Sequence, residues 1–202
     1  MSFIAGWIDY SKDNISKEIT LDKLSKSINE FGDTSVYKDT FAALFAQNIV
    51  TKSWKQNVYT AIFAGQIYNK DEVSNKLLTL GYDLGDNSDT NLVLNSYLEW
   101  GKDCLNCLNG TFSLAIWEKN SKTLFLARDR VGVKPLFYYS YPNGILFASN
   151  IKTLMQSGMV KKEIDQEGLK QILLLGPARS PSAGIIKKVK ELKMGAFLTY
   201  DK

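Results

Sequence analysis

Residues 111 to 149 restrict the fold most, because four short apolar segments follow one another there. The segments are TFSLAIWE, TLFLARD, LFYYS and ILFAS; KNSK separates the first two, and YPNG separates the last two. Short segments rich in apolar and aromatic residues, bounded by Asn, Gly, Pro and Ser, are typical of strands joined by tight turns. This part of the chain therefore predicts antiparallel β-structure.

Strand and helix patterns also occupy the first third of the chain. Residues 3–10 alternate as in a strand. A helical spacing that ends at Gly32 follows, carried by Leu21, Leu24, Ile28 and Phe31. The apolar runs FAALFAQNIV and VYTAIFAG are separated by the polar segment TKSWKQN, which predicts a hairpin with the polar segment as its connection.

Capping residues predict further helices. Asn69 would cap a helix that ends at Gly81 and has the apolar face Val73, Leu77, Leu78 and Leu80. A second helix would begin after Ser88 or Asp89, and two later ones after Ser149 and Asp165. The segment GAFLTYD predicts the final strand.

Two groups of strands, with helices between and after them, predict an α+β fold. Each sheet can bury one face against the other sheet and its second face under helices, which gives an αββα layered sandwich. A chain of 202 residues fits one such domain, residues 1–202, with one large core.

Composition excludes several kinds of protein. The apolar runs are shorter than the roughly 18 residues that span a bilayer, and the N-terminus lacks a secretory signal, so a cytoplasmic protein without a membrane partner is expected. The net charge of +4 comes from scattered lysines. The one dense group is Lys187, Lys188, Lys190 and Lys193. Val189 and Leu192 alternate with it, which favours a packed strand or turn and no nucleic-acid partner.

The chain has no histidine and two cysteines. The absence of histidine excludes histidine-based triads and zincin-type metal sites. Cys104 and Cys107 form one C-x-x-C pair, which cannot complete a tetrahedral zinc site within this chain, so no metal site is predicted. We expect both cysteines to be buried structural residues; a redox pair or an intermolecular metal site is the alternative.

The stretch LNGTFSLAIWEKNSKTLFLARDRVGVKPLFYY, followed by LFASNIKTLM, carries a family resemblance. It resembles the N-terminal glutaminase domain of asparagine synthetases, which are class II glutamine amidotransferases with the N-terminal-nucleophile hydrolase fold. The segments IAGWID, FAGQIYN, SDT, YLEWG and LLGPARSPSAGIIKKVKEL extend the resemblance over essentially the whole chain.

The resemblance also implies partners. In the family an ATP-dependent synthetase domain follows, and its Ser-Gly-Gly-x-Asp pyrophosphate loop is absent from this sequence. ATP and Mg are therefore expected only in that missing domain, and no cofactor is expected here. The synthetase domain is the expected partner, a second copy of the chain is a further candidate, and glutamine is a ligand only if activity is retained.

The family's nucleophile is an N-terminal cysteine, exposed when Met1 is removed, whose own α-amine acts as base. An α-amine titrates near pH ~8 and can serve as that base. Ser2 stands at this position. Serine is a weaker nucleophile that depends wholly on the base. Phe3 replaces the family's Gly, which is expected to place a bulky side chain beside Ser2.

The substrate-binding positions also depart from the family pattern. The family's Asn-Gly-Glu, which supplies the oxyanion hole, is Ala64-Gly65-Gln66 here. The first arginine is Arg128, so the usual clamp for the substrate carboxylate has no candidate in the first 127 residues. Asp89 matches the residue that binds the glutamine α-amine, although a helix N-cap is the favoured explanation.

Two of these features have structural explanations as well. Gly65 could be retained for backbone geometry alone. The segment ARDRVGVKP is retained with Arg128, Asp129, Arg130, Gly132 and Lys134, which favours a structural or interdomain role.

The leading hypothesis is a glutaminase-like domain of an asparagine-synthetase-type amide ligase that has lost glutamine hydrolysis and serves an interdomain role. The alternative is an active N-terminal-serine hydrolase that uses Ser2 on glutamine or another amide. A third hypothesis, an engineered Ser2 in place of cysteine, leaves Phe3 and Ala64 unexplained.

Overall fold

The computed structural model describes residues 2–11, 14–29, 32–175 and 185–202. The strands in these ranges are β1 Ile4–Asp9, β2 Ser35–Lys38, β3 Ala42–Ala46, β4 Ile49–Trp54, β5 Asn57–Ile67, β6 Gly110–Glu118, β7 Thr123–Arg128, β8 Phe137–Tyr141, β9 Gly144–Ala148, β10 Val189–Glu191 and β11 Phe197–Tyr200. The helices are α1 Asn14–Asn29, α2 Lys70–Thr79, α3 Asp89–Trp100, α4 Cys104–Cys107, α5 Ile151–Gln156 and α6 Gln166–Leu175, with a 3₁₀ turn at Gly101–Asp103.

The strands form two antiparallel sheets. The first sheet has the order β10-β8-β9-β1-β3-β2 and the second the order β11-β7-β6-β5-β4. One hydrophobic cluster lies between the sheets, a second lies between the second sheet and α2 and α3, and a third lies between the first sheet and α1 and α5. This is the predicted four-layer αββα sandwich.

Strand β1 lies inside the first sheet, paired with β3 on one side and β9 on the other. Its side chains alternate, as strand geometry requires. Ile4 and Ile8 face the core between the sheets, whereas Phe3 and Trp7 face the layer under α1 and α5. Phe3 is therefore a core residue on the opposite face from Ile4. Whether its side chain crowds Ser2 stays a prediction.

The predicted hairpin at residues 41–65 is present with different bounds. The first apolar run is divided between β3 and β4, which belong to different sheets. The hairpin joins β4 to β5 through Lys55 and Gln56, both with positive φ. The polar segment is mostly strand because β4 lies at a sheet edge, where alternate side chains face solvent.

The predicted helices are present, but some of the residues predicted to cap them do not do so. The side chain of Asn69 makes no cap bond, and Leu78 and Leu80 are exposed, because α2 contacts the core through Val73 and Leu77. Asn150, one residue after the predicted cap, accepts the Thr153 N–H at 2.8 Å.

Other helix and strand predictions have mixed outcomes. Asp165 caps α6 as predicted, through the N–H groups of Glu167 and Gly168. Phe31 lies outside the described residues. The final strand is β11, and the short strand β2 was not predicted.

Cys104 and the basic segment match the structural interpretations, whereas the expectation that Cys107 is buried is met only in part. Cys104 is fully buried, Cys107 is half-buried, and both are free thiols. Burial, with a smaller contribution from Cys107, raises the pKa of Cys104 to about 12. Val189 and Leu192 are buried beside the lysines.

Searches for membrane and metal features cover only the described residues. Among the helices described, none has the length and apolar character needed to cross a membrane. In those same ranges, the acidic and cysteine residues form no cluster of three able to hold a metal ion.

Candidate functional site

The predicted site residues meet at one end of the sandwich. Strand β3 ends at Ala46, opposite Ile4 of β1, and the chain then crosses to β4, which begins at Ile49 opposite Ile62 of β5. Ser2 precedes Ile4 on one sheet, and Ala64 follows Ile62 on the other. Residues 46–49 form the crossover between the two sheets. Ser2 and Ala64 both lie just beyond this crossover, at the same end of the sandwich and on facing sheets.

Ser2 is half-buried and precedes the first paired residue of β1. Its position is fixed through Ile4, whose N–H donates to the Ser149 hydroxyl at 3.0 Å and whose carbonyl accepts the Ser149 N–H at 2.9 Å. Ser2 lies two residues before Ile4, which faces the core between the sheets, so strand alternation continued past the start of β1 predicts the same face for the Ser2 side chain. That is the face to which Ala64 belongs.

Ala64 and Gln66 bring no side-chain donor to the inside of this site. Ala64 is 1% exposed and belongs to the apolar cluster between the sheets, together with Ile4 and Ala46. Gln66 is exposed. The position from which the family's asparagine amide would act is thus occupied by a methyl group in an apolar layer.

Gly65 has a backbone that other residues do not readily adopt. Its φ is +149°, and a Cβ built on it would stand 2.0 Å from the Thr111 carbonyl oxygen. Gly65 is paired with Phe112 of β6, but the Phe112 N–H donates to the Asp129 carboxylate and the Phe112 carbonyl accepts the Asp129 N–H. Gly65 and Phe112 are therefore a non-hydrogen-bonded pair, and the N–H and C=O of Gly65 face away from β6. The Gly65 N–H therefore points to the edge of β5 that lies past the start of β4.

Asp89 lies on the same edge of β5, in the first turn of α3. Its Oδ2 accepts the Ile67 N–H at 3.0 Å, and its Oδ1 forms a 3.0 Å ion pair with Lys70. Lys70 also donates to the Asn87 carbonyl. The helix N-cap is Ser88, whose hydroxyl accepts the Asn91 N–H. Asp89 is thus not the cap, and both of its carboxylate oxygens are engaged within the chain.

The segment ARDRVGVKP forms a loop that two adjacent side chains hold: Asp129 accepts hydrogen bonds from its backbone, and Arg128 donates hydrogen bonds to it. The buried Asp129 carboxylate accepts five backbone N–H groups at 2.6–3.2 Å, from Phe112, Val131, Gly132, Val133 and Lys134. The Arg128 guanidinium donates to the carbonyls of Gly132, Lys134 and Leu192 and to Glu191. The structural role predicted for this segment is therefore evident in its hydrogen bonds.

Arg128 cannot serve as a ready clamp for a substrate carboxylate. Its side chain is 9% exposed, and four of its N–H groups are directed to the carbonyls and to Glu191 at 2.7–3.0 Å. Arg128 therefore supplies no free guanidinium to this end of the sandwich.

Two residues of this region were missed in the sequence. Lys70 follows the predicted cap Asn69, but its ion pair with Asp89 joins residues 19 positions apart, which no local pattern reveals. Ser113 lies directly opposite Ala64 in the β5–β6 ladder. The sequence predicts only a strand there, and the polar residue within the apolar segment TFSLAIWE is the one local sign that the position is unusual.

Comparison with known proteins agrees with this arrangement. The family described as glutamine amidotransferase domain matches residues 45–202. The chain is 33% identical over 215 residues to an asparagine synthetase (glutamine-hydrolysing) 3 of Bacillus subtilis, covering all of this chain and 35% of that protein. It is 35% identical over 147 residues to asparagine synthetase 1 of the same organism, covering 73% of this chain and 23% of that protein. The chain thus spans about a third or less of these relatives.

A solved structure shows the same fold. It is the glutamine phosphoribosylpyrophosphate amidotransferase of B. subtilis in complex with ADP and GMP, with a TM-score of 0.62 and 14% identity. The match covers 77% of this chain and 43% of that chain. The family match and the relatives show that the chain belongs to the glutamine amidotransferase domain family, and specifically to the type of domain found in asparagine synthetases.

Proposed function

We propose that this chain is the N-terminal domain of an asparagine-synthetase-type, ATP-dependent amide ligase and that it does not hydrolyse glutamine. The observation that carries the proposal is the state of the glutamine-binding positions. Ala64 offers a buried methyl group where an amide donor is needed, and Lys70 already holds the Asp89 carboxylate.

The missing amide donor has a large expected effect. Loss of one oxyanion donor costs about 2.7–4 kcal/mol of transition-state stabilisation, a hundredfold or more in rate. Ser2 adds a weaker nucleophile that has to be deprotonated by its own α-amine. A glutamine ammonium would also have to displace Lys70 from Asp89. The first two effects act on attack at the carbonyl and the third on glutamine binding, so together they support loss of turnover.

An interdomain role is supported by an exposed apolar surface on a rigid loop. Val131 is 72% exposed, Val133 55% and Met194 53%, and a Cβ on Gly132 would stand 3.0 Å from Cβ of Met194. Arg128 and Asp129 hold this loop in place through hydrogen bonds to the Gly132 carbonyl and N–H. We propose that the surface packs against a synthetase domain, which would bind ATP and Mg, in a cytoplasmic ligase.

The nitrogen source of the longer ligase tests the function. We expect the ligase to form product with ammonium chloride and ATP, and to form none above background when L-glutamine is the only nitrogen source, because no ammonia is released. Product would be measured by mass spectrometry. Formation of product from glutamine at a rate similar to that from ammonium would contradict the proposal.

A second candidate function is supported by the end of the sandwich at which Ser2 lies. Ser2 and the Gly65 N–H lie past the same crossover, which is the arrangement that an N-terminal-serine hydrolase would need. In that reaction the Ser2 hydroxyl would attack an amide carbonyl, and its proton would pass to the Ser2 α-amine and then to the leaving amine as the C–N bond breaks. Water would then hydrolyse the acyl ester on Ser2, which releases the acid and restores the hydroxyl. A covalent adduct on Ser2 after exposure to an acylating probe would favour this candidate.

A further inference from the structure

Cys104 and Cys107 are the first and last residues of α4, which is a single helical turn. Residues three apart on a helix lie on the same face, and the helical rise and radius place their Cα atoms about 5 Å apart. Disulfides join residues whose Cα atoms are about 4.4–6.8 Å apart. The backbone of α4 is therefore within the range that a bond between these two free thiols requires.

The two thiols differ in their access to solvent. Cys104 is fully buried in the apolar cluster between the second sheet and α2 and α3, and burial, followed by Cys107 and Asp103, raises its pKa to about 12. Cys107 is half-buried and lines a cleft of about 380 Å³. The thiolate is the reactive form of a cysteine. Cys107 is therefore the thiol that a reagent in solution meets first, and Cys104 lies behind it.

Hydrogen bonds from the start of α2 fix the backbone at Cys107. The Asn69 side chain donates from Nδ2 to the Cys107 carbonyl at 2.9 Å, and its Oδ1 accepts the Asn109 N–H at 2.8 Å. Asn69 thus joins α2 to the end of α4, which accounts for its lack of a cap bond. The Cys107 thiol is therefore held at the wall of the cleft by a backbone that both helices support.

The charges that line the cleft indicate which reagents it favours. Lys76 and Arg130 bring two positive charges to it, against the one negative charge of Glu72. Glu72 forms a 2.7 Å ion pair with Lys76, whereas the exposed Arg130 directs Nη2 to two carbonyl oxygens of α4 at 3.2 and 3.4 Å. The pKa of Lys76 is raised, chiefly by its hydrogen bond to Glu72 and also by the charge of Cys107. A negatively charged reagent is therefore favoured beside Cys107.

We propose that Cys107 is a modification site that reacts with small disulfides bearing carboxylate groups, and that Cys104 then displaces the attached group to close an intrachain disulfide. In the first step the Cys107 thiolate attacks one sulfur of the reagent, the reagent S–S bond breaks, and one half leaves as a thiolate. In the second step Cys104 loses its proton to water and its sulfur attacks that of Cys107, so the other half leaves. The reagent is reduced to two thiols and the cysteine pair is oxidised. This reaction does not depend on glutamine hydrolysis.

Mass spectrometry of the chain treated with dithiodipropionate, a dianionic disulfide, tests both steps. The parent should first gain one half of the reagent on Cys107 and then lose it, ending two hydrogens lighter than it began. The second step should be the slower one, because burial keeps Cys104 protonated. Cys104→Ala should retain the attached group, and Cys107→Ser should gain none. Circular dichroism checks that both variants are folded, and peptide mapping of the parent locates the bond without either variant.

Arg130→Gln tests the charge of the cleft, with the dicationic disulfide cystamine as the matched reagent. At low ionic strength the first step should slow about fivefold with dithiodipropionate, because one attractive charge is lost, and should not slow with cystamine. A variant that only loosened α4 would react faster with both reagents.

Five outcomes would overturn the proposal. The parent could acquire no group from dithiodipropionate, or it could keep the group without forming the intrachain bond. The bond could join two chains. Cys107→Ser could react as fast as the parent does. Finally, Arg130→Gln could slow cystamine as much as it slows dithiodipropionate.

Discussion

Replacement of Asp129 by alanine is expected to lower the free energy of unfolding by about 4 kcal/mol or more. Asp129 is 1% exposed, and its carboxylate accepts five backbone N–H groups at 2.6–3.2 Å. Its removal leaves four of those donors without an acceptor, whereas the Gly132 N–H also donates to the Asp129 carbonyl at 3.2 Å. Each unbonded buried donor costs about 1–3 kcal/mol. Some donors in the loop would reach water after rearrangement, so the sum is lower than four full penalties. Urea denaturation followed by circular dichroism measures the effect.

Asp22→Ala is the control for this variant. Asp22 is exposed on α1, where its carboxylate contacts only the exposed Lys26 among the described pairs. An exposed i,i+4 pair contributes about 0.3–0.5 kcal/mol, so Asp22→Ala should unfold almost as the parent does. Equal losses in the two variants would show that Asp129 does not organise the loop.

Gly65→Ala is expected to lower the free energy of unfolding by about 3 kcal/mol or more. The added Cβ would stand 2.0 Å from the Thr111 carbonyl oxygen and 2.7 Å from the Phe112 Cα, both backbone atoms. Neither can move without opening the β5–β6 ladder. The positive φ adds strain that a glycine does not have. Thermal and urea unfolding would both report the loss.

Gly81→Ala separates the contact from the backbone conformation. Gly81 has φ +86° and no atom within 4 Å of a built Cβ, so only the conformational cost of about 1 kcal/mol should appear. A Gly65→Ala variant as stable as Gly81→Ala would mean that β5 does not approach β6 as described. Stability then would not account for Gly65, and a role in ligand binding would be the remaining explanation.

The layers of the fold could be predicted from the sequence because they depend on local patterns. Alternation marks β1, and turn residues mark the hairpins between β6 and β9. The division of FAALFAQNIV between two sheets could not be predicted, because an apolar run carries no sign of which sheet it enters. Phe3 illustrates the same limit, since only its packing with Ala5 and Trp7 shows which face it occupies.

The candidate site was predictable only as a set of positions. The residues Ser2, Gly65 and Asp89 were found by resemblance, and the crossover at residues 46–49 brings them to one end of the sandwich. Their contacts were not predictable. Lys70 reaches Asp89 from another helix, and only the ladder shows that Ser113 lies opposite Ala64.

The most direct test of the account is glutamate release from L-glutamine by this chain, with Met1 removal confirmed by mass and Ser2→Ala measured beside it. The account predicts that both proteins release glutamate at the background rate. Release by the parent clearly above that of Ser2→Ala would contradict it, because Ser2 would then be a working nucleophile despite Ala64 and the Lys70–Asp89 ion pair.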